Sequence, residues 1–186
     1  AAFSFIAATI LLFVSSNSFL SHFFEPKVLA VTHAVALGWG TMIILGASHQ
    51  LVPVLIEGEL YSNKLAYTSF VLSAIGIPLL IYGFYVFDMG SPAKWGGRFV
   101  VLSILAYLIN VAISIKKSKK ENIHAVFVFT AVIWLFITVS LGLALVYNFT
   151  YTFIPHDSVH YLPLHAHIGI IGWFLLLVIG VGSRLI

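Results

Sequence analysis

Apolar runs closed by charges, glycine or proline recur six times along the chain. They predict helices at about Ala2 to Phe23, Val28 to Ile56, Leu65 to Phe87, Arg98 to Ile115, Ile123 to Tyr147 and Val159 to Ile186. The connections are short, reading Glu25-Pro26-Lys27, 57–64, 88–97, 116–121 and a longer 148–158, and none has the composition of an interdomain linker. The pattern predicts an all-α integral membrane bundle of about six transmembrane helices, with residues 1–186 forming one domain.

Composition reinforces this. The chain is 61% hydrophobic and 8% charged, against about 25% charged residues in soluble domains. No basic stretch precedes the first run, so it reads as a span rather than a cleavable leader. A formal charge of +3 from so few groups reports topology and makes no case for nucleic acid. Alternate loops lie on opposite sides of the membrane. Lys64, Lys116, Lys117, Lys119, Lys120 and Arg184 fall on one side, against Lys27, Lys94 and Arg98 on the other. By the positive-inside rule the first side, with the N-terminus, faces the cytoplasm, as in a bacterial or archaeal cytoplasmic membrane. Helices two and six then both start from the outer side and run parallel.

Histidine inside a span is costly to desolvate and marks a functional site by default. There are eight histidines and no cysteine. The missing thiols exclude thiolate-ligated haem, iron–sulfur clusters, covalent haem attachment and disulfides within this stretch. His33 lies about five residues into helix two and His167 about eight into helix six, so both sit in the outer half at similar depth. That is the geometry two axial imidazoles need to hold one haem iron between facing helices. Residues two apart on a helix point about 200° apart, so His165 is available to a second site or to a neighbouring helix or water. His49 lies about 24 Å deeper than His33 and cannot share its iron. His22 and His124 fall near helix ends, where wet interfacial histidines are common. His156, Asp157 and His160 read as caps and interfacial groups, because two histidines and one carboxylate fix no metal geometry.

Other features bear on the same site. At an offset of 134, His33, Gly38, Trp39, Gly46 and Leu51 align with His167, Gly172, Trp173, Gly180 and Leu185, a weak internal repeat. Gly40 lies nearly on the face of His33, where a missing side chain lets a flat macrocycle approach the backbone, although close helix packing alone also favours glycine. Arg98 and Lys94 are candidate partners for haem propionates, with interfacial cations as the plainer reading.

The stretches Thr32-His33-Ala34, continuing through Gly46 to Leu51-Val52-Pro53, and His156-Asp157-Ser158, then Leu164-His165-Ala166-His167, resemble the second and tenth helices of the catalytic subunit of haem-copper oxidases and nitric oxide reductases. The resemblance implies His33 and His167 as low-spin haem ligands and His165 as a high-spin haem ligand. It covers two of the six helices. That family's copper is held by three further histidines between these helices, whereas here His124 alone lies between Gln50 and Pro155. No copper is therefore expected.

The expected function is a membrane b-type cytochrome with one haem b or two, for electron transfer from a quinol or cytochrome donor, or for binding O2, NO or CO. One alternative is part of an oxidase or nitric oxide reductase-type catalytic subunit. Another is a non-haem membrane transporter or metal-handling protein. Lipid surrounds the chain in each case, and an oligomer is compatible with all three.

Overall fold

A computed structural model describes residues 2–118 and 123–183, all in helices and the turns between them. Lys119, Lys120, Arg184 and Leu185, which entered the topology and repeat arguments, and Ile186, the expected end of the last helix, lie outside the described residues. Five helices are long and apolar enough to cross a membrane: α2 (Pro26–Leu55), α3 (Asn63–Tyr85), α4 (Ser91–Lys117), α5 (Ile123–Tyr151) and α6 (Leu162–Gly182). They are preceded by a shorter apolar helix, α1 (Ala2–Val14). The protein is an all-α membrane bundle.

The first run differs from expectation in one respect. At 13 residues α1 is too short to cross about 30 Å of hydrocarbon. It gives way to a 3₁₀ turn at Ser16–Leu20, because Ser15-Ser16-Asn17-Ser18 offers side-chain groups that compete with helical backbone bonds. Elsewhere the boundaries follow local chemistry. Ser62 caps α3 by accepting from the Leu65 amide, and Pro26, Pro92 and Pro163 sit in the first turns of α2, α4 and α6, where no amide donor is needed. Glu57, Phe87 and Thr152, just past α2, α3 and α5, have left-handed backbone with φ of 48°, 55° and 42°. Left-handed residues at this position are a common way for helices to end.

The tightest packing joins α3 to α4. A Cβ on Gly76 would meet the Gly96 carbonyl at 2.9 Å, and one on Gly83 would meet the Ala93 amide nitrogen at 2.8 Å. Only missing side chains allow backbones this close, the usual device for joining helices in a membrane. Several polar residues in the interior pair with one another. Ser103 bonds to Ser69 and Ser73, the Tyr107 hydroxyl donates to Ser48 Oγ at 2.7 Å, and the Asn110 amide bridges the backbone of Ser62. In hydrocarbon each group left unpaired would cost several kcal/mol, so this pairing fixes how the helices sit together.

Helices α2 and α6 both begin at the same end of the bundle and run parallel. Their backbones share few contacts, and the space between them is the site described next.

Candidate cofactor site

His33 ends the α-helical part of α2, and its Nδ1–H donates to the Leu29 carbonyl at 2.8 Å. That bond fixes the tautomer and leaves Nε2 with a free lone pair, the state in which imidazole ligates a metal. Immediately after it the chain widens into a π-helix over Ala34–Thr41. In α6 the same thing happens: the His167 Nδ1–H donates to the Pro163 carbonyl at 2.6 Å, and a π-helix follows over Ile168–Leu175. The two π segments are related by the offset of 134 that aligns the sequences. π turns of this kind are rare and occur often at functional sites.

The two histidines then part company. His33 lines a cavity of about 250 Å³ between the helices, and His165, not His167, lines the opposite wall. The His33 and His165 rings are nearly parallel, with planes 17° apart and centroids 6.3 Å apart. His167 lies on the exposed face of α6 with Ile171, Leu175 and Val178. The face that carries His165 carries Gly169 and Gly172, four and seven residues on, and Trp173, which is 1% exposed. Small residues mark the packed side of a membrane helix, so this spacing was a signal in the sequence that His165 points inward.

The ring centres are close enough that one metal ion placed between the helices could be reached by both imidazoles, His33 through the Nε2 that its bond to Leu29 leaves free. The cavity is apolar apart from the two histidines, Thr32, Thr41, Thr138 and Ser158, the lining typical of a site for a largely apolar cofactor. Room for the His165 ring is made by Gly142 on α5, where a Cβ would lie 2.9 Å from Cε1 of that ring. Sequence reading missed Gly142. His165 Nδ1 is buried without a hydrogen-bond partner. The Thr138 carbonyl approaches the ring but does not reach hydrogen-bond geometry with that nitrogen. On these counts the donor pair and the apolar lining suit a flat, metal-centred macrocycle such as haem, and the cavity of about 250 Å³ must widen to admit one.

Gly40 does not line the cavity. A Cβ there would meet Phe174, a lining residue, at 3.5 Å, so Gly40 sits where α2 comes nearest to α6. Arg98 is also outside the lining. Its Nε donates to the Tyr147 hydroxyl at 2.7 Å, a terminal guanidinium nitrogen bonds the same hydroxyl, and the group lies 4.6 Å from the Trp95 ring centre. Lys94 donates to Thr150 at 2.9 Å and stands over the Tyr147 and Tyr151 rings. Both cations thus belong to an aromatic cluster behind the cavity wall formed by Gly97 and Val146.

The remaining histidines are dispersed. His49 packs on Tyr107 with centroids 5.2 Å apart, and its Nε2 is buried without a partner. His156 and His160 lie side by side in the loop before α6, where Asp157 caps the His160 amide. His124 bonds Ser183. Among the described residues no cluster of three or more His, Cys, Asp or Glu is arranged to hold a metal. Compared with known proteins, the chain matches no family model, no curated protein and no solved structure.

Proposed function

We propose that this protein is a membrane b-type cytochrome in which His33 on α2 and His165 on α6 would hold haem between the two helices. The observation that carries the reading is the pair of near-parallel imidazoles 6.3 Å apart across an apolar cavity. Haem held by two imidazoles would supply one-electron chemistry, its potential tuned by ligands, burial and hydrogen bonding. The chain's own contribution is positional. Leu29 orients the His33 ring through its carbonyl, Gly142 leaves space for the His165 ring, and the leucine, valine and phenylalanine lining keeps water away. Electron exchange with a quinol or cytochrome donor follows from this reading. In a bacterial or archaeal cytoplasmic membrane the end of the bundle with Lys64, Lys116 and Lys117 faces the cytoplasm. Because α1 is too short to cross, that orientation does not by itself carry the N-terminus to the same side. Copper is not part of it.

The test is an optical and paramagnetic resonance spectrum of the purified protein expressed with ample haem. A low-spin bis-imidazole signal from acid-extractable haem, with iron and no stoichiometric copper, is the expected outcome. A folded, colourless preparation would reject the proposal.

A further inference from the structure

The cavity has walls of unequal kind. At the end where α2 and α6 begin it is roofed by aromatic rings: Phe24 and Phe149 stack with centroids 5.7 Å apart and planes 5° apart, and Phe87 packs edge-on against both. At the deep end Phe174 closes the gap toward Gly40. No charged residue lines either end. The side is different. Thr32 on α2, and Ala166 and Ile170 on α6, line the cavity and are also exposed on the outside of the bundle, Ile170 by 62%. The backbones of α2 and α6 share few contacts, and residues that line the cavity while exposed outside the bundle mark this side as its opening toward the surface where lipid chains lie. The two imidazoles stand on α2 and α6 with ring centres 6.3 Å apart.

We propose that the cavity's flat apolar ligand enters and leaves sideways, from within the bilayer, through the slot between α2 and α6. This rests on the reading that the ligand is haem. Sliding edge-on between two helices requires no opening of the aromatic roof and no passage of an apolar macrocycle through water, whose avoidance is the main term in burying apolar surface.

The absence of cysteine makes the proposal easy to test. Ile170→Cys and Thr32→Cys place a removable bulky disulfide label on each lip of the slot. Ile75→Cys, 48% exposed on α3 and away from the cavity, carries the same label as a control. Protein made without haem is placed in nanodiscs of neutral phospholipid, haemin is added, and uptake is followed by absorbance. Loaded protein is then labelled, and haem loss to apomyoglobin is timed. Blocking the slot slows both uptake and release, by about tenfold or more, and reductive removal of the label restores both rates. Merely crowding bound haem would slow uptake but hasten release. Unchanged rates at both lips, or hastened release, would overturn the route while leaving the haem reading intact. Unlabelled protein that takes up no haemin would overturn the haem reading and the route with it.

Discussion

The segments after His33 and His167 are built alike and used differently. Each histidine bonds the carbonyl four residues earlier, each precedes an eight-residue π-helix, and each π-helix carries a Gly-Trp pair. The same offset also pairs His22 with His156. Yet His33 faces the cavity and His167 the outside, while Trp39 is 39% exposed and Trp173 only 1%. Local sequence therefore sets backbone shape, and the neighbouring helices decide which way that shape is turned. Helix α2 is covered by α1 and α3 on the side of Gly38, whereas α6 presses its Gly172 side into α5, so equivalent residues end in opposite surroundings.

The strongest test of this difference is to remove each imidazole in the cavity. His33→Ala or His165→Ala leaves the iron one protein ligand, and either change is expected to abolish the low-spin signal, through haem loss or conversion to a five-coordinate, CO-binding form. If both variants keep the wild-type low-spin spectrum, the cavity is not the haem site.

A smaller effect is expected at Gly142. A Cβ there would lie 2.9 Å from the His165 ring, so Gly142→Ala pushes that ring off its axis without deleting it. Haem should still bind, with a shifted low-spin spectrum and faster loss to apomyoglobin. An unchanged spectrum and loss rate would show that the ring has other room to move.

The number of helices, their approximate bounds and the parallel course of α2 and α6 were legible from apolar runs and loop punctuation alone. The exception was the first run, read as a span from Ala2 to Phe23 although the cluster Ser15-Ser16-Asn17-Ser18 ends its helix at Val14. What periodicity could not resolve was rotation. His165 and His167 differ by about 3 Å in depth, so depth matched His33 with either. Choosing between them needed the glycines at 169 and 172, read as the packed face rather than as part of a repeat. The destinations of Arg98 and His165 depended on Tyr147 and Gly142, distant in sequence and without a motif of their own.

Glycines sharpen the comparison at the level of stability. In the second segment, a Cβ on Gly172 would lie 2.8 Å from the Trp134 side chain, and one on Gly180 would lie 2.8 Å from Phe127 Cβ. In the first, a Cβ on Gly38 finds 3.6 Å and one on Gly46 meets nothing within 4 Å. Gly172→Ala and Gly180→Ala should therefore each cost about 1–3 kcal/mol by overpacking. Gly46→Ala should be neutral, or stabilising by up to about 1 kcal/mol through helix propensity. Unfolding in a mixed detergent system measures all three, and equal effects in the two segments would contradict the asymmetry.

The smallest change is expected at His167, and it decides how the repeat is used. Its ring lies outside the cavity, and its Nδ1–H bond to the Pro163 carbonyl is on the exposed face of α6, where neighbouring backbone or interfacial water replaces it at little cost. His167→Ala should leave the low-spin spectrum in place and alter stability by about 1 kcal/mol or less. The informative contrast is with His165→Ala in the same preparation. Loss of the signal in His165→Ala with retention in His167→Ala means that the ligand lies on the packed face of α6, and that the sequence repeat preserved backbone shape rather than ligand role. The reverse pattern would mean that α6 turns by about half a revolution when haem binds, so that the repeat-equivalent histidine of α6 meets its counterpart in α2 after all.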